Sequence, residues 1–524
     1  MTKIRKKIII SIIIFIIFST GVAGGYFLFN ITGNGGFIPS LNVNGDLNNA
    51  LTINNLDFSD KWQTLDYNGK KINVVKLGDL LNLAEPLSQN NIIYFIGEDG
   101  RASAIYADSQ EQIEESYISF NGENGWEVIN LAYPINSNIK RINEIVVVMK
   151  ENKTDFGLNI ISPLKNLINI TPGQAGLITR KYFEDAGTSS KSGNGNNFES
   201  TVFSVRQTFN LNDIFAALNS SELSSAWVES GYLADMDEFQ DKIILYGSRG
   251  QYMFTDTAGY FELTHNSINY VDPVLDETIE NVKGVILDPP AASIMDVYYD
   301  TTGLISQDKK VMLIITDGFG YHQYRYAIEN GYAPYLSSIS PAEMATSVYE
   351  PVSNSGLAAM FTGKPGSESG IYTRKTREPQ IPTIFGYLLE KGKKARLIEG
   401  DIQIIKLETD MELHTDLNSS GTIDDEIMEA ALSAISSNEF DFIAVHFHSI
   451  DDTGHDYGDI SKETMETIRE IDSYIKKLAS TWTGKIIITS DHGMHATDEG
   501  GSHGELRFED MIVPYIIFDS IPEK

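Results

Sequence analysis

The chain has 524 residues, 42% of them hydrophobic, no cysteine, and 40 basic against 72 acidic side chains, for a net charge of −32. That length exceeds what one hydrophobic core serves and implies two or three domains, while the apolar fraction excludes a disordered chain and an all-membrane one. Without cysteine there are no disulfides, thiolate zinc sites or cysteine nucleophiles, and so acidic a surface repels nucleic-acid backbones, so no nucleic-acid partner is expected.

Lys3, Arg5, Lys6 and Lys7 precede an uncharged run from Ile8 to Phe29. As a helix that run would reach ~33 Å, enough to cross a bilayer, with the basic cluster left in the cytoplasm. Residues 1–30 are therefore read as a signal anchor, which makes the chain a single-pass cell-membrane protein with an extracytoplasmic bulk. A signal peptide cleaved near Gly21 or Ala23, releasing a secreted protein, is the competing reading.

Asn30 to Asn54 is rich in Gly and Asn and reads as a loop or tether. An α+β module is expected over 31–168, with a helix over Val75–Leu83 and strands over Asn91–Ile96 and Ile145–Met149. The low-complexity stretch Ala186–Asn197 reads as a mobile loop or linker. A second α+β module with a linker is expected over 169–300, because LNDIF at 211–215 echoes LGDLL at 77–81 and IILYGSRG at 243–250 echoes the strand from Ile92. No catalytic constellation is visible in this half, which reads as a binding or spacer region. Asp288 to Asp308 is the expected joint.

From residue 308 to 524 strands and helices alternate, which predicts a doubly wound α/β domain. Strands are expected at Val311–Thr316, Ala395–Glu399, Phe442–His448 and Lys485–Thr489, and helices at Thr383–Lys391, Asp425–Ser436 and Lys462–Ala479. Three apolar runs end in aspartate: VMLIITD at 311–317, FIAVHFHSID at 442–451 and KIIITSD at 485–491. Such runs suit strands buried on both faces of a parallel sheet, and functional groups gather beyond the carboxyl ends of those strands. Asp317, Asp451 and Asp491 would then meet at one sheet edge and suit a cation. Eight of the nine histidines also follow Val311. His455 lies four residues after Asp451, in a stretch expected to turn back from the strand end, and His503 sits in a glycine-rich loop free to fold inward. His446 and His448 read as packed or hydrogen-bonded strand residues.

These motifs resemble the alkaline phosphatase superfamily, in particular its type I phosphodiesterase/nucleotide pyrophosphatase branch. The segment SDHGM followed by GSHGE is also similar to ethanolamine-phosphate transferases of that superfamily. The resemblance implies two divalent metal ions, zinc or alternatively manganese. One would be held by Asp317, Asp491, His492 and the Ser353 oxygen, the other by Asp451, His455 and His503. It places the nucleophile nine residues before the Thr362-Gly363 pair, at Ser353, with Ser355 the fallback. A hydroxyl at a helix amino end, where the dipole favours negative charge, suits that role, although serine there is also an ordinary helix cap. Where the branch carries a phosphoryl-binding Asn, this chain has Arg374, able to grip a phosphoryl group.

The expected function is a membrane-anchored, two-metal phosphoric-ester hydrolase, phosphodiesterase or phosphatase, working through a phosphoseryl intermediate on a phosphorylated small molecule, lipid or glycan. A phosphoethanolamine-type phosphotransferase on the same site is the alternative, and a non-catalytic envelope binding protein is the alternative of another class. A sulfatase is disfavoured, because the Pro and Arg that should follow its nucleophile are missing from SNSGL.

Overall fold

The computed structural model of the chain describes residues 30–31, 37–54, 60–99, 101–107, 113–131, 137–150, 156–193, 196–219, 242–256, 259–264, 266–339 and 341–520. The run Ile8–Phe29 and His265 lie outside the described residues. Among the described residues no helix is long and apolar enough to cross a membrane. The chain divides into two compact units, one of residues 1–153, 170–234 and 259–278, the other of 154–169, 235–258 and 279–524. These units interleave, a different partition from contiguous blocks at 31–168, 169–300 and 308–524.

Two stretches before residue 290 repeat one topology. In the first, a five-stranded sheet is ordered Leu51–Ile53, Leu41–Gly45, Ile142–Met149, Asn91–Gly97, Ala102–Ala107, and the last strand in sequence lies parallel to the first. In the second, the order is Lys165–Ile170, Leu158–Ser162, Val282–Leu287, Lys242–Gly247, Tyr252–Asp256, again with the last strand parallel to the first. Each copy places a hairpin before a helix and another hairpin later. In the first, Gln63–Tyr67 and Lys70–Lys76 precede helix Leu77–Ala84, and Lys70–Lys76 pairs antiparallel with Ser116–Asn121. In the second, Arg180–Gly193 and Asn196–Phe209 precede helix Leu211–Asn219, and Asn196–Phe209 pairs antiparallel with Tyr260–Thr264. The echoed segments LGDLL and LNDIF thus begin the same helix in both copies.

Three expectations are corrected here. Ala186–Asn197 is not a linker but the closing end of a long antiparallel hairpin whose register runs to Gly193 opposite Asn196. Its sequence carried the signal in Asn194-Gly195, the dipeptide that best suits a two-residue hairpin turn. The tether ends earlier than Asn54, because Leu41–Gly45 and Leu51–Ile53 alternate inward apolar residues and join a sheet. The supposed joint at 288–308 holds a short strand and an eleven-residue helix of the main domain.

In the first unit, the Asp46 carboxylate is fully buried and accepts hydrogen bonds from the backbone of Met149 at 2.9 Å and Gly173 at 2.8 Å, and from the Thr171 hydroxyl at 2.9 Å. It ties the end of strand Ile142–Met149 to the start of helix Pro172–Ile178, whose Thr171–Gln174 capping box also satisfies free amide groups.

The second unit carries an eight-stranded sheet. Its strands in chain order are β1 (Ala292–Ser293), β2 (Val311–Thr316), β3 (Glu343–Thr346), β4 (Ala395–Glu399), β5 (Glu412–Leu413), β6 (Phe442–Phe447), β7 (Lys485–Thr489) and β8 (Ile512–Asp519), with spatial order β1-β3-β8-β7-β2-β6-β4-β5. The central pairings of β2 with β6 and β7 and of β4 with β6 are parallel, and β8 runs antiparallel between β3 and β7. Every residue of β2 is buried, as a strand covered on both faces must be. Even-numbered Met312 and Ile314 pack with Ile443, Val445, Ile486 and helices α5 (Asp424–Ser437) and α7 (Lys462–Thr481). Odd-numbered Val311, Leu313 and Ile315 pack on the other face with α1 (Asp296–Ser306), α3 (Ser353–Thr362) and α4 (Ile384–Glu390). This alternation gives the predicted doubly wound α/β domain two apolar layers. The remaining labelled helices are α2 (Tyr321–Glu329) and α6 (Ser449–Tyr457).

Candidate active site

Strand register decides what meets at the sheet edge. Ile315 lies opposite both His446 and Thr489, and Ile398 opposite Val445. Carried forward along each strand, these pairings bring Asp317, His448 and Asp491 out at one level, with Glu399 beside His446. Gly318 follows Asp317 with φ +69°. A Cβ there would lie 2.7 Å from the Asp451 carboxylate, so glycine permits both the turn and the approach of α6.

Asp451 and His455 do not sit on a turn from the strand end, as the sequence suggested. They are four apart on α6, a helix, and so share one face. The reason is Asp424, whose buried carboxylate accepts the backbone N–H groups of His448 at 2.8 Å and Ser449 at 2.9 Å and the Ser449 hydroxyl, which starts a helix there.

Ser353 opens α3, but it does not cap it. The cap position is Val352, and no side chain caps the helix. The Ser353 Oγ instead lies 3.4 and 3.5 Å from the Asp317 carboxylate oxygens and 3.4 Å from His492 Nε2. Ser355 is buried within the helix packing, with no partner for its hydroxyl. Gly356 lets α3 dock: a Cβ there would come within 2.6 Å of the Asp491 carbonyl oxygen. Arg374 Nη2 donates to His503 Nε2 at 2.8 Å. Its loop is held by Asn354, whose Nδ2 donates to the carbonyls of Thr373 at 2.6 Å and Thr376 at 2.7 Å.

Three histidines share one arrangement. The Nδ1–H groups of His455, His492 and His503 donate to the carbonyls of Gly501, Gly493 and Pro351, each at 2.9 Å. That leaves the Nε2 lone pairs of His455 and His492 facing the centre, the tautomer a metal ligand needs, while the His503 Nε2 lone pair meets Arg374 Nη2. His492 Nε2 lies 3.3 Å from Asp317 Oδ1 and 3.6 Å from Asp491 Oδ2. His455 Nε2 is 3.4 Å from Asp451 Oδ2, and His503 Nε2 is 3.7 Å from Asp451 Oδ1. The rings of His492 and His503 stack with centroids 3.8 Å apart.

These separations are long for hydrogen bonds and match the edge of a tetrahedral coordination sphere, where two ligands each ~2.1 Å from an ion stand ~3.4 Å apart. Asp451 Oδ1 and Asp491 Oδ2 are buried without a hydrogen-bond partner. Donor atoms that converge at this spacing, with orphaned lone pairs, fit divalent cations. Asp317, Asp491 and His492 form one group able to hold an ion, and Asp451, His492 and His503 another.

The charges agree with crowded carboxylates. Burial and the neighbouring Asp317 push Asp491 up to about 7. Burial also opposes charge on Asp317, but His446, His448 and His492 outweigh it and hold that carboxyl well below its usual range. Asp451 raises His455 to about 9. Burial and the adjacent His492 lower His503 to about 2, so it presents a neutral ring. Burial and the adjacent Asp451 push Asp452 up to about 6.

All eight residues singled out in the sequence lie at this edge. Glu399 escaped notice because nothing in its own stretch marks it. Its buried carboxylate lies 3.1 Å from His446 Nδ1 and 2.5 Å from His448 Nε2. His495 is buried against Asp510 at 2.8 Å.

The fold and its site define a doubly wound α/β domain with a carboxylate–imidazole cluster at the carboxyl ends of parallel strands. Residues 401–514 match the type I phosphodiesterase / nucleotide pyrophosphatase family model, the branch of the alkaline phosphatase superfamily that the motifs resemble. Asp451, His455, Asp491, His492 and His503 lie inside that segment; Asp317, Ser353 and Arg374 precede it. The human protein "GPI ethanolamine phosphate transferase 3, catalytic subunit" is 26% identical over 106 residues, 19% of this chain and 10% of that protein. Among solved structures, phosphonoacetate hydrolase from Sinorhizobium meliloti 1021 overlaps 36% of this chain and 57% of its own at 18% identity and a TM-score of 0.30. Murine ectonucleotide pyrophosphatase / phosphodiesterase 5 overlaps 36% of this chain and 59% of its own at 17% identity and a TM-score of 0.31. The chain thus spans a tenth of its curated relative and somewhat over half of these two structures.

Proposed function

We propose that the chain is a metal-dependent phosphoric-ester hydrolase with Ser353 as nucleophile, acting outside the cell membrane from an amino-terminal anchor. The observation that carries this reading is the spacing of lone pairs around one hydroxyl: Ser353 Oγ and the facing oxygens and nitrogens of Asp317 and His492 stand 3.3–3.5 Å apart, each suited to a shared cation. Asp317, Asp491, His492 and Ser353 would hold one divalent ion, zinc by its mixed oxygen and nitrogen donors, and Asp451, His455 and His503 a second. Such ions supply Lewis acidity toward phosphoryl oxygens and lower the pKa of a bound hydroxyl.

The chain's own residues do the rest. The α3 amino end, with its free N–H groups, favours negative charge at Ser353. Ser353 Oγ gives up its proton as it bonds to phosphorus, the ester P–O bond breaks, and the alcohol leaves with a proton. Water then attacks the phosphoserine, the Ser353–phosphorus bond breaks, and phosphate or a phosphomonoester is released. Arg374 offers paired donors to a phosphoryl oxygen. In the second reading, an acceptor hydroxyl replaces water and the group is transferred. The stretch shared with the human ethanolamine phosphate transferase favours it.

The test is turnover of aryl phosphate mono- and diesters by the purified chain, with and without zinc, in the presence and absence of an acceptor alcohol. Cleavage should vanish on chelation and fall at least ~10³-fold in Ser353→Ala. Undiminished turnover in that variant would move the nucleophile elsewhere, and product captured on the alcohol would favour transfer.

A further inference from the structure

We propose that Asp317, His446 and His448, backed by Glu399, form a third divalent-cation site, joined to the reaction centre through Asp317. The inference rests on the two-cation reading above and goes beyond it, because neither histidine serves the two positions already described.

The two oxygens of Asp317 face different ways. Oδ1 lies toward His492, at 3.3 Å. Oδ2 lies 3.5 Å from His446 Nε2 and 3.5 Å from His448 Nδ1. The three donor atoms form a group able to hold an ion, at the separation found around the other two positions. His446 is fully buried, and its Nε2 has no hydrogen-bond partner. On its far side, His446 Nδ1 is fixed by Glu399 at 3.1 Å. The same carboxylate takes His448 Nε2 at 2.5 Å. A carboxylate behind each imidazole fixes its tautomer and turns the opposite lone pair toward a metal.

Charge gives the same answer. Asp317 and Glu399 bring two negative charges into a buried pocket with two imidazoles. Two protons or one divalent cation can balance them. The protonated arrangement needs N–H···O bonds from both rings to Asp317 Oδ2, and 3.5 Å is too long for good ones. One cation replaces both protons without changing the net charge. Two nitrogens and one oxygen select zinc, cobalt or nickel over magnesium or calcium.

The test is metal stoichiometry of the full chain, stripped with a chelator, reloaded with Zn2+ and freed of excess, then read by plasma mass spectrometry. Loading with Co2+ gives a second readout in the visible absorption of tetrahedral cobalt. Wild type should take three equivalents. His446→Gln with His448→Gln should take two and lose the cobalt absorption of the third. Glu399→Gln, the milder change and the safeguard should the double variant fail to fold, should weaken the third equivalent by ~10–100-fold. Two equivalents in wild type, unchanged in these variants, would overturn the third site and leave the two-cation reading standing. Fewer than two in wild type would overturn both. A fall from two to one in the double variant would also overturn it, by assigning the histidines to one of the two original positions.

Discussion

Gly356→Ala tests whether the docking of α3 sets the position of Ser353. A Cβ at 356 would lie 2.6 Å from the Asp491 carbonyl oxygen and 2.7 Å from the Asp491 Cβ, whereas ordinary contact begins at 3.4 Å. Neither atom is the end of a flexible side chain, so the helix must retreat by ~0.8 Å, in an interior packed too densely to absorb the shift elsewhere. Overpacking of this kind costs ~1–3 kcal/mol. Ser353 lies one turn earlier on the same helix and moves with it, and a misplacement near 1 Å costs ~10²-fold in rate. Gly303→Ala is the control, since its Cβ meets nothing within 4 Å in the interior of α1. It should gain ~0.5–1 kcal/mol and leave turnover unchanged. The assay is kcat/KM on an aryl phosphoester beside the thermal midpoint of each variant. Wild-type kcat/KM in Gly356→Ala would refute the claim that this close approach sets the position of Ser353, the proposed nucleophile.

Two further outcomes follow from the same geometry. Burial raises the Asp46 carboxyl from 3.8 to about 6 against the opposing hydrogen bonds from Met149, Gly173 and Thr171. The folded chain therefore keeps a proton that the unfolded chain releases, and stability contributed by this group falls as pH rises from ~4 through ~6, by ~3 kcal/mol over that window. Asp46→Asn should lack that slope, so its urea midpoint should gain on wild type between pH 4 and 6.5; parallel curves would contradict it. Asn354→Ala removes both side-chain bonds that hold the Arg374 loop, so KM should rise ~10-fold with kcat changed less. An equal fall in kcat and kcat/KM would instead place Arg374 in transition-state binding alone.

The sheet edge was legible because long-range chemistry was written in local patterns. Val311–Thr316, Ala395–Glu399 and Lys485–Thr489 form strands with the bounds read from the sequence, since short runs with an apolar centre that end in polar turns have few alternatives. What the sequence hid was pairing register. Glu399 ends an ordinary strand, and only the pairing of Ile398 with Val445 sets it beside His446. His446 and His448 are two apart and share one face by simple alternation, yet their partner lies on another strand. The helix at Ser449 was hidden for a similar reason, because the carboxylate that starts it, Asp424, comes from α5. The hairpin at 180–209 was missed because Ala186–Asn197 is polar and glycine-rich, although Phe203, Val205 and Phe209 fall at alternating positions in the second strand.

Charge bears on which chemistry this edge can perform. Asp317, Asp451, Asp491 and Glu399 converge there with Asp452 close by, while Arg374 is the guanidinium that reaches the cluster. A phosphoester carries one or two negative charges, and a carboxylate at 4 Å opposes a like charge by ~4 kcal/mol near a protein surface. In a chain of net charge −32, the overall charge adds to that repulsion rather than offsetting it. One arginine cannot balance three or more carboxylates, but two divalent ions held as proposed would reverse the sign of the field at Ser353 and draw phosphoryl oxygens inward. On that proposal the carboxylates would concentrate cations beside Ser353, and the acidic composition that argues against a nucleic-acid partner would be compatible with a small phosphorylated one.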